Sequence, residues 1–179
     1  MYRRLPRVAT VVGVLAICMG ATNSSCTFVS NLGGSGGSQP SFVVHLQLED
    51  VNGGVSDTFQ TGDQISMVMK IRNRLSTSAS IEFPDGRQSD FVVVQADSSN
   101  VVWKWSDKRT FGQVATKLDF AAGETKTVTV TWNQVGNDNL QVLPGTYEAR
   151  GALVYSGFDA SPLEANQQGS TPERFTILQ

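Results

Sequence analysis

From residue 42 onward, apolar side chains recur at every second position along much of the chain. Phe42, Val44, Leu46 and Leu48 alternate with Val43, His45, Gln47 and Glu49. The same rhythm runs through Ile65, Met67, Met69 and Ile71, through Ala79, Ile81 and Phe83, and through Val128, Val130 and Trp132 set against Thr127, Thr129 and Thr131. Successive side chains of an extended strand point to opposite faces, so this period predicts strands with one face in a core and one toward water. A helical repeat of 3.6 residues does not fit it. Further strands are expected at 90–95, 101–105, 116–120, 146–155 and 174–178.

Turn chemistry separates these stretches. Pro84-Asp85-Gly86 is suited to a type I turn between two strands, residues 97–100 to closing a hairpin, and Pro144-Gly145 to a type II turn, whose third position favours glycine. About nine short strands without a helical segment predict an all-β fold: an immunoglobulin-like antiparallel β-sandwich. Segments 53–62, 106–115, 133–143 and 156–172 are longer and less patterned. Loops of that kind on a rigid frame are where recognition is expected.

The N-terminus reads differently. Arg3, Arg4 and Arg7 precede an apolar run over 8–21 that is too short to span a bilayer, which is the layout of an export signal over residues 1–25. Cys18 lies inside that run and Cys26 just beyond it, so at most one cysteine remains after export and no disulfide is available to the domain. Cys26 is the candidate lipid acceptor of a lipoprotein-type signal, and cleavage to a free secreted form is the other outcome. Residues 26–41, rich in Gly and Ser between Gly33 and Ser38, read as a flexible linker that would hold a domain of 42–179 away from its anchor.

Charge narrows the possible partners. The signal removes three of the 14 basic groups and none of the 16 acidic ones, leaving an acidic domain without a basic stripe. Nucleic acid is therefore disfavoured as a partner, and contact with a membrane is expected only through the N-terminal lipid.

Candidate chemistry is sparse. His45 is the single histidine, placed mid-strand on the polar face with no nucleophile in a recognisable strained turn, so a Ser/His/Asp hydrolase is not supported. Cys/His zinc binding fails on ligand count. The oxygen-rich stretches 49–57 and 136–139 lack the spacing of a helix-loop-helix calcium loop and match ordinary turns. No metal, cofactor or enzymatic activity is expected. Trp103 and Trp105, two residues apart, are assigned with Val101 to the core-facing side of one strand, opposite Lys104; Trp132, among threonines, is assigned to the core as well.

Between residues 90 and 147 these features form an ordered series: Phe91 and the valines after it, Val102-Trp103-Lys104-Trp105-Ser106, Phe111, Gly123-Glu124, Trp132 and Pro144-Gly145-Thr146-Tyr147. The series resembles the BsuPI family of intracellular proteinase inhibitors from Bacillus, over roughly residues 64–154. The likeness includes Asn73 at the end of an early strand and the strand over 80–83. It implies an immunoglobulin-like sandwich and a serine proteinase of the subtilisin class as the partner. No reactive-site residue transfers position by position. An inhibitor needs an exposed, restrained loop that enters the proteinase cleft. The candidate is 106–115, with Asp107, Lys108, Arg109 and Thr110 projecting and Phe111 turned back to pack. The rival function is an envelope-associated structural, assembly or ligand-binding sandwich that works through a sheet edge or loops.

Overall fold

The computed structural model describes residues 41–98, 100–154 and 169–179. The expected signal, Cys26, the linker to residue 40 and most of segment 156–172 lie outside the described residues. Among the described residues ten strands are formed: β1 Phe42–Glu49, β2 Thr58–Gln60, β3 Ile65–Asn73, β4 Ala79–Phe83, β5 Ser89–Gln95, β6 Val101–Lys104, β7 Thr116–Phe120, β8 Thr125–Trp132, β9 Gly145–Leu153 and β10 Glu173–Leu178. The described residues contain no helix.

The strands arrange into a three-stranded sheet β1-β3-β8, a five-stranded sheet β2-β10-β9-β5-β6 and a β4-β7 pair. Alternation explains the first sheet directly. Ile65, Met67, Met69 and Ile71 are fully buried, as are Leu46 and Trp132 within a few per cent, while Thr127, Thr129 and Thr131 on β8 face water. The two larger sheets meet through the Trp132 ring, 5.9 Å from Trp103 of β6 and 6.3 Å from Phe175 of β10. Close approach is also made at Gly151 of β9, where an added Cβ would lie 2.9 Å from the Met69 sulfur. Glycine here is a packing requirement, since any side chain would push the sheets apart. The β4-β7 pair joins through Phe120, whose ring is 5.0 Å from that of Phe42. Asn73, completely buried at the end of β3, donates to the carbonyls of Thr77 and Ala121 and accepts from the Leu75 N–H. It satisfies turns that strand pairing cannot reach.

Three expectations are corrected. Residues 58–60, read as loop, form β2, which runs parallel to β10 in an otherwise antiparallel frame. Three residues with one apolar side chain, Phe59, are too few to display a period; the strand exists because β10 offers it a partner. Gly145 has φ 159° and starts β9 in extended conformation, so Pro144-Gly145 is not a type II turn. On β6, Val92 pairs with Lys104, Val93 with Trp103 and Val94 with Val101, so Val102 is an extra, bulged residue. The bulge breaks the alternation: Val101 is 47% exposed and does not share the face of Trp103. Trp103 and Trp105 do face the core as assigned, half-buried and packed against it. Pro84-Asp85-Gly86 lies between two strands, β4 and β5, as expected; it carries the chain into the other sheet, and the Gly86 N–H donates to the Gly112 carbonyl at 2.8 Å.

Tyr147 marks the sandwich type. Its hydroxyl donates to the Leu143 carbonyl at 2.5 Å, four residues upstream and just before the strand begins. That bond is the tyrosine corner of immunoglobulin-like folds.

Candidate functional site

Two loops meet along the outer edge of β6. The first follows β6 and is anchored by Asp90, which is 4% exposed. Its carboxylate accepts from the Phe91 N–H at 2.9 Å, the Ser106 N–H at 3.1 Å and the Ser106 hydroxyl at 2.6 Å. Arg87 and Lys104 each approach it at 3.8 Å. Burying a carboxylate is costly unless it is paired and hydrogen-bonded, so this convergence fixes Ser106 firmly relative to the sheet.

Beyond Ser106 the chain turns tightly. Asp107 N–H donates to the Lys104 carbonyl and Arg109 N–H to the Ser106 carbonyl, both at 3.2 Å, with Lys108 in the left-handed region at φ 60°. Asp107, Lys108, Arg109 and Thr110 are all exposed. The basic pair does not project freely. The Lys108 ammonium donates to the carbonyl of Asn137, and the Arg109 guanidinium lies 4.7 Å above the Trp105 ring. Trp105 in turn packs on Phe111 at 5.7 Å, and Arg87 stands over Phe111 at 5.9 Å. Phe111 is half-buried and turned back.

The second loop, 133–143, is one of the four segments where recognition was expected, although the inhibitory candidate was placed on 106–115. Gln134 is fully buried with φ 58°; its amide donates to the Gln60 carbonyl at 2.8 Å and accepts from the Gly62 N–H at 2.9 Å. Above it, Val142 N–H reaches the Gln134 carbonyl at 2.9 Å and Gly136 N–H the Leu140 carbonyl at 2.8 Å. Trp132 adds its indole N–H to the Val135 carbonyl at 2.9 Å.

Asn137 joins the two loops. Its backbone N–H donates to the Val102 carbonyl at 3.1 Å, its side-chain oxygen accepts from the Lys104 N–H at 2.5 Å, and its side-chain nitrogen donates to the Lys104 carbonyl at 3.1 Å. One residue thus stands in for a neighbouring strand and closes the edge of β6. Pairing across 33 residues depends on which loops the topology brings together, and an asparagine in a Gly/Asn/Asp run gives no sign of it. A signal for Leu140 and Leu143 was present: both are large apolar residues in a polar loop, and they are 67% and 76% exposed.

His45 is exposed on β1 beside a cleft of about 560 Å³ lined in part by Gln47, Asp57, Glu173 and Arg174. Asp50 caps its own turn by accepting from the N–H groups of Asn52 and Gly54, both at 2.8 Å. Among the described residues no three acidic, histidine or cysteine side chains come together as metal ligands would.

A sandwich that braces two exposed loops along one sheet edge has the build of a protein-binding module. The chain belongs to the BsuPI family, intracellular proteinase inhibitor, whose sequence model matches residues 54–157, more than half of its length. No curated protein matches the chain. Among solved structures it is similar to the alkylpurine DNA glycosylase AlkC of Pseudomonas fluorescens bound to DNA containing an abasic site analogue, with TM-score 0.45, 9% identity, and coverage of 80% of this chain and 32% of that one. It is also similar to a CARDB domain from Pyrococcus furiosus in complex with di-metal ions, with TM-score 0.40, 12% identity, and coverage of 77% and 93%. A β-glucosidase from Listeria innocua in complex with glucose gives TM-score 0.41, 14% identity, and coverage of 77% and 16%. The chain thus spans about a third of the length of the glycosylase and less of the glucosidase.

Proposed function

We propose that this protein is a non-catalytic inhibitor of subtilisin-class serine proteinases, working outside the cytoplasm. Cys26 carries the lipid that anchors it, and the 26–41 linker lets the sandwich reach its target. The observation that supports the reading, beyond family membership, is the bracing of two exposed loops, 106–115 and 133–143, along the β6 edge by Asp90, Trp105 and Asn137. Binding of a floppy loop loses free energy to ordering; a loop already fixed does not. Titration of purified protein against subtilisin-type and trypsin-type proteinases tests the function, and unchanged activity of every proteinase at micromolar inhibitor would refute it. Mass spectrometry of the mature N-terminus tests the anchor: a thioether-linked diacylglycerol on Cys26 is expected.

One observation favours the rival reading, an envelope-associated assembly or ligand-binding module. The Arg74 N–H bonds the Ser41 carbonyl at 2.9 Å, which sets the β1-β3 register so that Phe42, Val44 and Leu46 direct their N–H and C=O groups away from β3. Leu48 is the exception, its carbonyl taken by the Ser56 N–H at 3.0 Å. Among the described residues nothing pairs with the first three, so β1 offers an edge to an added strand. Recovery of a non-proteinase partner from envelope extract, lost on substituting Val44→Pro, supports that reading over inhibition.

A further inference from the structure

We propose that Leu140 is the primary contact of this inhibitor, entering an apolar specificity pocket of the proteinase as a plug whose own peptide bond is not offered for cleavage. The inference rests on the inhibitor reading above and adds the residue and the pocket chemistry.

Three observations converge on this residue. Leu140 is 67% exposed immediately past the turn 137–139 that tips the 133–143 loop, and Leu143, 76% exposed, follows two positions past Gln141. A lone exposed leucine is ordinary on a protein surface; an exposed pair on a loop this firmly fixed is a ready-made anchor. The tip is held from beneath by the buried amide of Gln134 and from the side by Asn137 on the β6 edge. It is also held by the Leu140 N–H, which donates to Asp138 at 3.0 Å, and by Tyr147, whose hydroxyl fixes the Leu143 carbonyl. Leu140 therefore meets a partner without ordering cost beyond its own rotamers.

The basic pair on the neighbouring loop is less suited to that role. Lys108 is spent on Asn137 and Arg109 on Trp105, and the left-handed backbone of Lys108 cannot lie extended in a substrate cleft. Occupied basic groups point away from an acidic specificity pocket and toward an apolar one.

Backbone geometry decides the mode of engagement. A scissile carbonyl must turn its oxygen toward the donors of an oxyanion hole. The Leu140 carbonyl already accepts from the Gly136 N–H at 2.8 Å, inside its own hairpin. Leu143 is closed in the same way by Tyr147. The side chain can fill a pocket while the peptide bond stays out of the reacting position. Inhibition is then obstruction, with no acyl-enzyme formed.

The test uses the full exported chain, a subtilisin-type proteinase with an apolar primary pocket and trypsin with an acidic one. Wild type is expected to inhibit the first more strongly. Leu140→Ala should weaken inhibition by about 30-fold or more, the loss typical of a central anchor, at unchanged thermal stability because the side chain is exposed. Val51→Ala, equally solvent-facing and remote in sequence, should leave it within twofold. Mass spectrometry after prolonged incubation should find the 133–143 loop intact. If wild type inhibits no proteinase, the inhibitor reading itself fails. If wild type inhibits and Leu140→Ala does so equally well, only the present assignment is overturned, and the same holds if Arg109→Ala alone abolishes inhibition. Cleavage after Leu140 overturns the plug mode.

Discussion

Removing the carboxylate of Asp90 is expected to loosen the first loop and destabilise the whole sandwich. In Asp90→Ala three donors lose their acceptor: the Phe91 N–H, the Ser106 N–H and the Ser106 hydroxyl. Arg87 and Lys104 lose the carboxylate at 3.8 Å. Bonds to a charged acceptor are worth about 1.5–3 kcal/mol each, but Ser106 is half-buried and water can replace part of what is lost there. Phe91, 1% exposed, has no such relief. Arg87 and Lys104 are 24% and 31% exposed and keep water, so the orphaned donors set the cost, and a loss of roughly 3–4 kcal/mol is expected for alanine. Asp90→Asn keeps one oxygen for the two N–H groups, and the serine hydroxyl can rotate to accept; only the charge is lost, for about 1–2 kcal/mol. Urea unfolding at constant m measures both, and amide exchange at Ser106 should rise in the order wild type, Asn, Ala. An alanine variant within about 1 kcal/mol of wild type, with Ser106 still protected, would refute the anchoring role.

Asn137→Ala removes two side-chain bonds to Lys104 and should cost about 1–2 kcal/mol, with faster exchange of the Lys104 amide; an unchanged amide would mean that water or another group closes that edge equally well. Burial holds the Tyr147 hydroxyl above its ordinary pKa, so the folded state binds its proton more tightly than the unfolded chain. That stability is fully present below about pH 10 and is lost as pH rises through the raised folded value; Tyr147→Phe should lack this alkaline loss and cost about 1 kcal/mol at neutral pH, read by denaturant midpoints against pH. Gly151→Ala puts a Cβ 2.9 Å from the Met69 sulfur and 3.4 Å from the Phe91 ring and should cost about 1–3 kcal/mol in thermal unfolding; a neutral effect would show that Met69 swings aside freely.

The candidate site was legible only in part. The motif from Phe91 to Tyr147 carried the family because its aromatics and turns recur wherever such a sandwich must be filled and closed. Exposure of Asp107, Lys108, Arg109 and Thr110 followed from their polarity in a loop. Their engagement did not, because Arg109 depends on where Trp105 lies after a bulge, and Lys108 on a carbonyl 29 residues away. Val101 was misplaced for the same reason: one inserted residue, Val102, inverts every later side chain on the strand.

Sequence alone determined the strands whose side chains alternate, since a period of two is a property of each strand's own backbone and needs no partner to be read. It also determined the series that places the chain among proteinase inhibitors. Tertiary structure alone decided what the alternation cannot encode: the parallel seat of Thr58–Gln60 on β10, the closure of the β6 edge by Asn137, and the presentation of Leu140 on a fixed loop. Each of those arises where hydrogen-bonding groups on segments far apart in the chain meet, and the free energy of such a meeting belongs to the pair and not to either stretch of residues.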